Sequence, residues 1–144
     1  MVLQQLAIKK HSELSNKKGL AIAYGNAGNT YYHLQNYPEA LNYYQNSLKI
    51  RQEISDKKGI ASCYHNIANV YIKLKNYSEA RSCLNKALAL NVEMNSLDFI
   101  KDNYYTNSTI YLEEGNDKEA LIFYKKYIQL RDSIFNIEND KKSN

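Results

Sequence analysis

Proline is almost missing from this chain, at one in 144 residues, and glycine is scarce at five. A sandwich or barrel built on tight turns is disfavoured by that supply. Two cysteines cannot make a disulfide framework, and no CxxC pair or His/Cys cluster suggests zinc. No apolar run approaches 18 residues and the mean hydropathy is -0.62, which excludes a membrane span within this stretch. Residues 1–10 lack the basic region followed by an apolar stretch that marks a signal peptide.

What is present is 44% hydrophobic and 24% charged, enough for a sizeable core in one domain or a short repeat array. The net charge of +4 is mostly lysine, with only Arg51, Arg81 and Arg131 as arginines. Lysine doublets at 9–10, 17–18, 57–58, 125–126 and 141–142 are separated by long neutral or acidic stretches. Nucleic-acid binding would favour a concentrated stripe with bidentate arginines, so spread lysines read as solvated surface.

Self-similarity organises the chain. A shift of 40 residues aligns 17–56 with 57–96 at 15 identities, among them Gly19/Gly59, Tyr24/Tyr64, Asn26/Asn66, Asn29/Asn69, Tyr31/Tyr71 and Ala40/Ala80. A second shift reaches 97–136, which keeps Tyr104, Tyr111, Asn116, Glu119, Ala120 and Tyr124. Three ungapped copies at one period predict a repeat architecture. Each copy reads as two helices. In the first, over 18–35, Tyr24, Ala27, Gly28, Tyr31 and Leu34 share one face. Asn36 is expected to end it in the left-handed conformation. The second runs over 38–55, opened by Pro38 and Glu39, with Ala40, Tyr44, Ser47, Leu48 and Ile54 recurring at threes and fours.

Residues 1–16 align with the second half of a repeat, where Leu3, Leu6, Ile8 and Leu14 correspond to Tyr43, Asn46, Leu48 and Ile54. A lone helix is therefore expected to pack on the first helix of copy one, for seven helices in all. A chain that opens inside a repeat reads as a fragment of something longer. Residues 137–144 are polar and read as a frayed tail or linker.

These residues resemble the tetratricopeptide repeat, whose signature runs from a large aromatic through leucine, a small residue, tyrosine and alanine to an aromatic. Copy one supplies Tyr24, Ala27, Gly28, Tyr31, Ala40 and Tyr44. Copy two supplies Tyr64, Ile67, Ala68, Tyr71, Ala80 and Leu84, and copy three Tyr104, Asn107, Ser108, Tyr111, Ala120 and Tyr124. Gly28 against Ala40 is expected to let two helices approach closely. The period exceeds the usual length, implying longer helices, and Gln52, Val92 and Asp132 stand where the family has a proline. The resemblance implies an all-α, antiparallel helix-pair solenoid with a right-handed superhelix. It comprises three repeats (17–56, 57–96, 97–136) plus the orphan N-terminal helix 1–16. The stretch YIQLRDSIFN at 127–136, with IENDKK after it, is similar to the segment following the repeats of bacterial sensor histidine kinases. That likeness implies a signalling receptor whose output domain lies elsewhere, cytoplasmic or, in a sensor kinase, periplasmic.

Chemistry of the catalytic kind is poorly supported. Glu113 and Glu114, and Glu138 with Asp140, read as solvated carboxylates. His11, His33 and His65 fall in different repeat columns without a metal-binding spacing, so no metal site is expected. Cys63 and Cys83 read as packing thiols. Gly25 to Gly28 lies mid-helix without the lysine of a phosphate loop, and no cofactor is expected.

Family resemblance places ligand contact on the concave surface lined by first helices. The positions that fall there are Asn26, Asn66 and Thr106, then Asn29, Asn69 and Thr109. Flanking them are Tyr32, His33, His65, Lys73 and Tyr105. Four asparagines, three apart within a helix, form a ladder on one face, and an amide offers both donors and acceptor to a peptide main chain. The competing reading is a wet groove whose asparagines bond each other. Chaperone-adaptor repeats grip a terminal carboxylate with basic residues where this chain has Gly25, Asp102 and Thr106, so that clamp is not expected. The function expected is non-enzymatic binding of a protein or peptide, with a structural or self-associating array without a peptide ligand, joined through exposed array ends, as the alternative. No nucleic acid or membrane contact is expected.

Overall fold

The computed structural model describes residues 1–13 and 16–143, and the side chains of 1–10 and 16–143. Among them are seven helices: α1 Val2–Glu13, α2 Lys17–His33, α3 Tyr37–Glu53, α4 Lys57–Lys73, α5 Tyr77–Glu93, α6 Leu97–Glu113 and α7 Asp117–Ser143. The chain is all-α, built as helix pairs joined by short turns. The expected His11 and Leu14 side chains lie outside the described residues.

Caps explain where the helices start. Asn16 Oδ1 accepts the Gly19 N–H at 2.9 Å to open α2, and Asp56 Oδ1 accepts the Gly59 N–H at 3.1 Å to open α4. Pro38 occupies the first turn of α3, where its missing N–H costs nothing. The helix ends differ from expectation. The left-handed residue is Gln35 (φ 61°), not Asn36, which has φ -93° and serves as the N-cap of α3. Ser55, Lys75, Asn95 and Gly115 repeat that conformation every twenty residues. At each, paired N–H groups close the last turn, as Gln35 N–H to Tyr32 O (3.0 Å) and Asn36 N–H to Tyr31 O (2.9 Å) do. Only Gly115 takes this geometry free of Cβ strain.

The chain divides into two compact units, residues 1–87 and 88–144. In the first, α1 packs on α2, α2 on α3 and α3 on α4. Its core is rich in alanine, with Ala21, Ala27, Ala40, Ala61, Ala68 and Ala80 buried beside Tyr44, Ile67, Val70 and Leu84. Small residues let the axes close up. At Gly28 a Cβ would stand 2.6 Å from the buried Tyr44 ring, so the ring, rather than Ala40, is what glycine accommodates. Tyr43 is the aromatic that the sequence pattern missed: it stacks on Tyr31 at 5.2 Å and lies 6.1 Å from Tyr24. Leu34, expected on the packed face, is 61% exposed. Leu3 and Leu6 of α1 are exposed as well, while Ile8 is half-buried and Gln4 Nε2 donates to Thr30 Oγ1 of α2 at 3.0 Å.

In the second unit α6 packs on α7. Phe123 fills the place of Tyr43, 5.6 Å from Tyr111 and 6.3 Å from Tyr104. Tyr124, expected as the core aromatic of copy three, is 41% exposed. Buried amides replace alkyl groups in this core: Asn107 Nδ2 donates to Asn103 Oδ1 at 2.9 Å. Helix α7 runs on to Ser143, with exposed side chains from Phe135 onward. No described helix is long and apolar enough to cross a membrane.

Candidate functional site

The asparagine ladder of α2 and α4 lies on a groove of the first unit. One part, about 350 Å³, is lined by Asn26, Asn29 and Asn66 with Tyr44 at its base. The adjoining part, about 200 Å³, shares Asn29, Asn66 and Tyr44 and adds Asn69, Tyr32 and His33. All four asparagines are thus brought together, because positions three apart on one helix share a face and α4 repeats α2. They do not simply pair with one another. The Tyr44 hydroxyl donates to Asn29 Oδ1 at 2.6 Å, which fixes that amide's orientation and leaves its NH2 group as the donor. Burial, with lesser effects of Tyr32 and Cys63, pushes the Tyr44 phenol up to about 12, so it stays a donor at neutral pH.

The other candidates are not among the residues that line the groove. Neither His65 nor Lys73 lines it. Tyr105, Thr106 and Thr109 belong to the second unit. Tyr105 leans on α7, its ring 5.1 Å from Tyr127. Thr106 Oγ1 donates to Asp102 O at 2.9 Å and Thr109 Oγ1 to Tyr105 O at 2.8 Å, so both hydroxyls are bonded into their own helix.

The groove also has a floor that the first-helix pattern did not reveal. Ser47 and Arg51 of α3, Lys18 of α2, and Asp56, Lys58 and Cys63 at and within α4 line it. They form a chain of bonds. Cys63 Sγ approaches Ser47 Oγ at 3.6 Å, Ser47 Oγ donates to Ala21 O at 2.7 Å, and Arg51 Nε donates to Ser47 Oγ at 3.2 Å. Arg51 Nη1 then meets Asp56 Oδ2 at 2.6 Å. Glycine is required at Gly59, because a Cβ would run into the Arg51 guanidinium and the Asp56 carboxylate. Burial pushes the Asp56 carboxyl up, but the Gly59 N–H and Arg51 outweigh it, and the net shift is downward. Burial raises the Cys63 and Cys83 thiols, which keeps them protonated and unreactive. Repetition of Lys-Lys-Gly at 17–19 and 57–59 was the available sequence signal for this end of the groove.

Among the described residues no cluster of three or more His, Cys, Asp or Glu side chains could hold a metal. The groove's lining offers hydrogen bonds and charge.

Comparison with known proteins agrees with this architecture. No curated protein sequence matches the chain. Among solved structures, BtubC from P. vanneervenii is similar at TM-score 0.81 and 19% identity over 91% of this chain. The chain spans 55% of that structure's length. The tetratricopeptide domain of FLU from Arabidopsis is similar at TM-score 0.76 and 21% identity, covering 81% of this chain and 98% of that domain. A signal transduction ATPase with a tetratricopeptide repeat sensor, from Pyrococcus horikoshii, matches at TM-score 0.79 and 22% identity over 90% of this chain and 20% of that one. At these identities the likeness is one of fold. Two family models, each described as tetratricopeptide repeat, match residues 19–91 and 102–133, and the chain belongs to that family.

Proposed function

We propose that the chain is a non-enzymatic module that holds an extended or helical segment of a partner protein in the first unit's groove. The observation that carries this reading is the convergence of Asn26, Asn29, Asn66 and Asn69 on one groove, with Asn29 oriented by Tyr44. Membership of a family of protein-interaction modules supports it. On this reading the repeats are 17–56, 57–96 and 97–136, and the module is the sensory or scaffold part of a larger bacterial signalling protein. The signalling context draws support from the sensor array of the Pyrococcus ATPase and from the tail at 127–142.

The test begins with a pull-down using the intact chain as bait, followed by calorimetry on the captured partner. Each neutral hydrogen bond contributes on the order of 1 kcal/mol, so Asn26→Ala weakens binding about fivefold. Asn26→Ala with Asn66→Ala nearly abolishes a micromolar interaction while helical content and melting temperature stay close to unchanged. Undiminished affinity in the double variant would refute the groove. The second reading, self-association, is favoured by the exposure of Val2, Leu3 and Leu6 on α1 and of Leu121 and Phe135 on α7. Light scattering separates the two, since only self-association makes the size of the pure chain depend on its concentration.

A further inference from the structure

The first unit's groove has two chemically different ends. Near Asn29, Asn66 and Asn69 it is lined by amides and rings. Toward the starts of α2 and α4 it is lined by Lys18, Lys58 and Arg51. Lys18 and Lys58 are exposed second residues of their helices, and neither forms an ion pair among the described residues. Their neighbour Lys17 is engaged by Glu53 at 3.4 Å. Arg51 commits Nε to Ser47 and one Nη1 bond to Asp56, and a guanidinium has five N–H donors, so it retains donors for a further acceptor. The positive ends of the α2 and α4 dipoles fall at the same end. The carboxylate lining this end, Asp56, already accepts from Arg51 and from the Gly59 N–H. Lys18 also lies close enough to Asp56 to help lower its carboxyl, so three cations line a recess that holds one internal anion.

We infer that this end of the groove binds a carboxylate of the partner segment, either an Asp or Glu side chain or a chain terminus. The inference rests on the peptide-binding reading above and names the chemistry of that peptide. The lysines and Arg51 supply charge, and the asparagines supply main-chain bonds, so neither set duplicates the other. From Lys18 to Asn29 the α2 axis rises about 16 Å. An extended peptide covers that length in about five residues. The ladder begins at Asn26, about 12 Å along the axis, so the partner's acidic group sits about four to five residues from the stretch whose main chain meets it. These cations lie outside the positions expected of a family carboxylate clamp, which here carry Gly25, Asp102 and Thr106.

The experiment selects peptides from a random synthetic decapeptide library with free carboxyl termini, and from a matching amidated library, on the intact chain. The expected result is enrichment of Asp and Glu in both libraries for side-chain recognition, or selection from the free library alone for a terminal carboxylate. Lys18→Gln with Lys58→Gln should weaken a selected peptide about tenfold by fluorescence anisotropy. Lys141→Gln with Lys142→Gln, the same change of net charge on the far end of α7, should stay within about twofold. Selected peptides without acidic enrichment, or equal losses in the two lysine variants, overturn the inference and leave the peptide reading standing. An acidic peptide that is lost in the Lys18/Lys58 variant but kept in the Asn26/Asn66 variant upholds the inference and overturns the role given to the ladder. A library that yields no peptide overturns both.

Discussion

Tyr44 and Tyr124 occupy the same column of the repeat, 80 residues apart, and have opposite fates: one is 3% exposed and the other 41%. The difference traces to the residue that each helix pair offers at one facing position. Gly28 leaves room for the Tyr44 ring to lie flat between α2 and α3, where its hydroxyl reaches Asn29. Ser108 holds that place in the third copy, bonding Ala120 O at 2.9 Å, and Phe123 packs on α6 while Tyr124 turns out. Copy two takes a middle course, with Ala68 and Leu84 both fully buried. Helix α4 completes the contrast by covering α3. Volume at a close crossing is conserved across a pair of positions rather than at either one. The groove forms where the copy in which glycine admits the tyrosine meets α4 of the next.

Gly28→Ala should break this comparison most severely. The added methyl meets the Tyr44 ring, and overpacking of this kind costs about 1–3 kcal/mol, against a helix-propensity gain of up to about 1. Urea unfolding measures it. Adding Tyr44→Leu, which recreates the Ala/Leu pair of copy two, should restore most of the loss; no recovery would mean that facing volume is not the cause.

Next in size is Arg51→Ala, which strands Asp56 and removes the donor to Ser47. With side chains 17% and 24% exposed, this pair is only partly desolvated, and a loss of about 1–2 kcal/mol is expected. Arg131→Ala, at the matching position of α7, should change stability by less than about 0.5 kcal/mol, since Arg131 and Asp132 are both exposed. The Asp56 carboxyl is lowered in the fold, so its stabilisation is present above the ordinary carboxylate pKa of about 4 and is lost as pH falls through the folded value. Unfolding curves between about pH 5 and 2 should show that loss in the native chain and a smaller one in the Arg51 variant.

Tyr44→Phe should cost about 1 kcal/mol through the lost bond to Asn29. The phenol is raised in the fold to about 12, so its contribution is intact below the free value of about 10 and fades as pH climbs toward the folded one. Absorbance titration at alkaline pH should lose its latest-ionising tyrosine in Tyr44→Phe and keep it in Tyr124→Phe. Smallest of all, Thr106→Ala with Thr109→Ala should alter stability by less than about 0.5 kcal/mol per site and leave partner binding unchanged, because both hydroxyls bond their own helix. A binding loss matching that of the Asn26/Asn66 variant would place ligand contact on α6 as well.

Much of the molecule was legible in the residue order. A 40-residue period, a small residue before tyrosine in each first helix, and the Pro-Glu that opens α3 placed α2 to α6 to within about two residues of their observed ends, whereas α7 runs on through the stretch read as a frayed tail or linker. Recurrence of Asn26, Asn29, Asn66 and Asn69 located the amide ladder before any packing was known. Such features are local: they follow from 3.6-residue geometry, from caps, and from repetition, all of which act over a few neighbouring positions.

Other features depended on what faces what across the chain. Nothing local distinguishes Tyr43 from Tyr44, or decides that Phe123 is packed and Tyr124 exposed; those outcomes require the volume at Gly28 and Ser108 on another helix. Asn36 looked like the left-handed residue, yet the turn closes one residue earlier at Gln35, because the spacing between paired helices overrides intrinsic preference. Arg51, Asp56 and Cys63 are scattered over two helices and a cap, and they form one bonded floor only because α3 packs on α4. Short-range chemistry is written in sequence order, whereas burial and pairing between distant residues arise when the helices close on one another and exclude water.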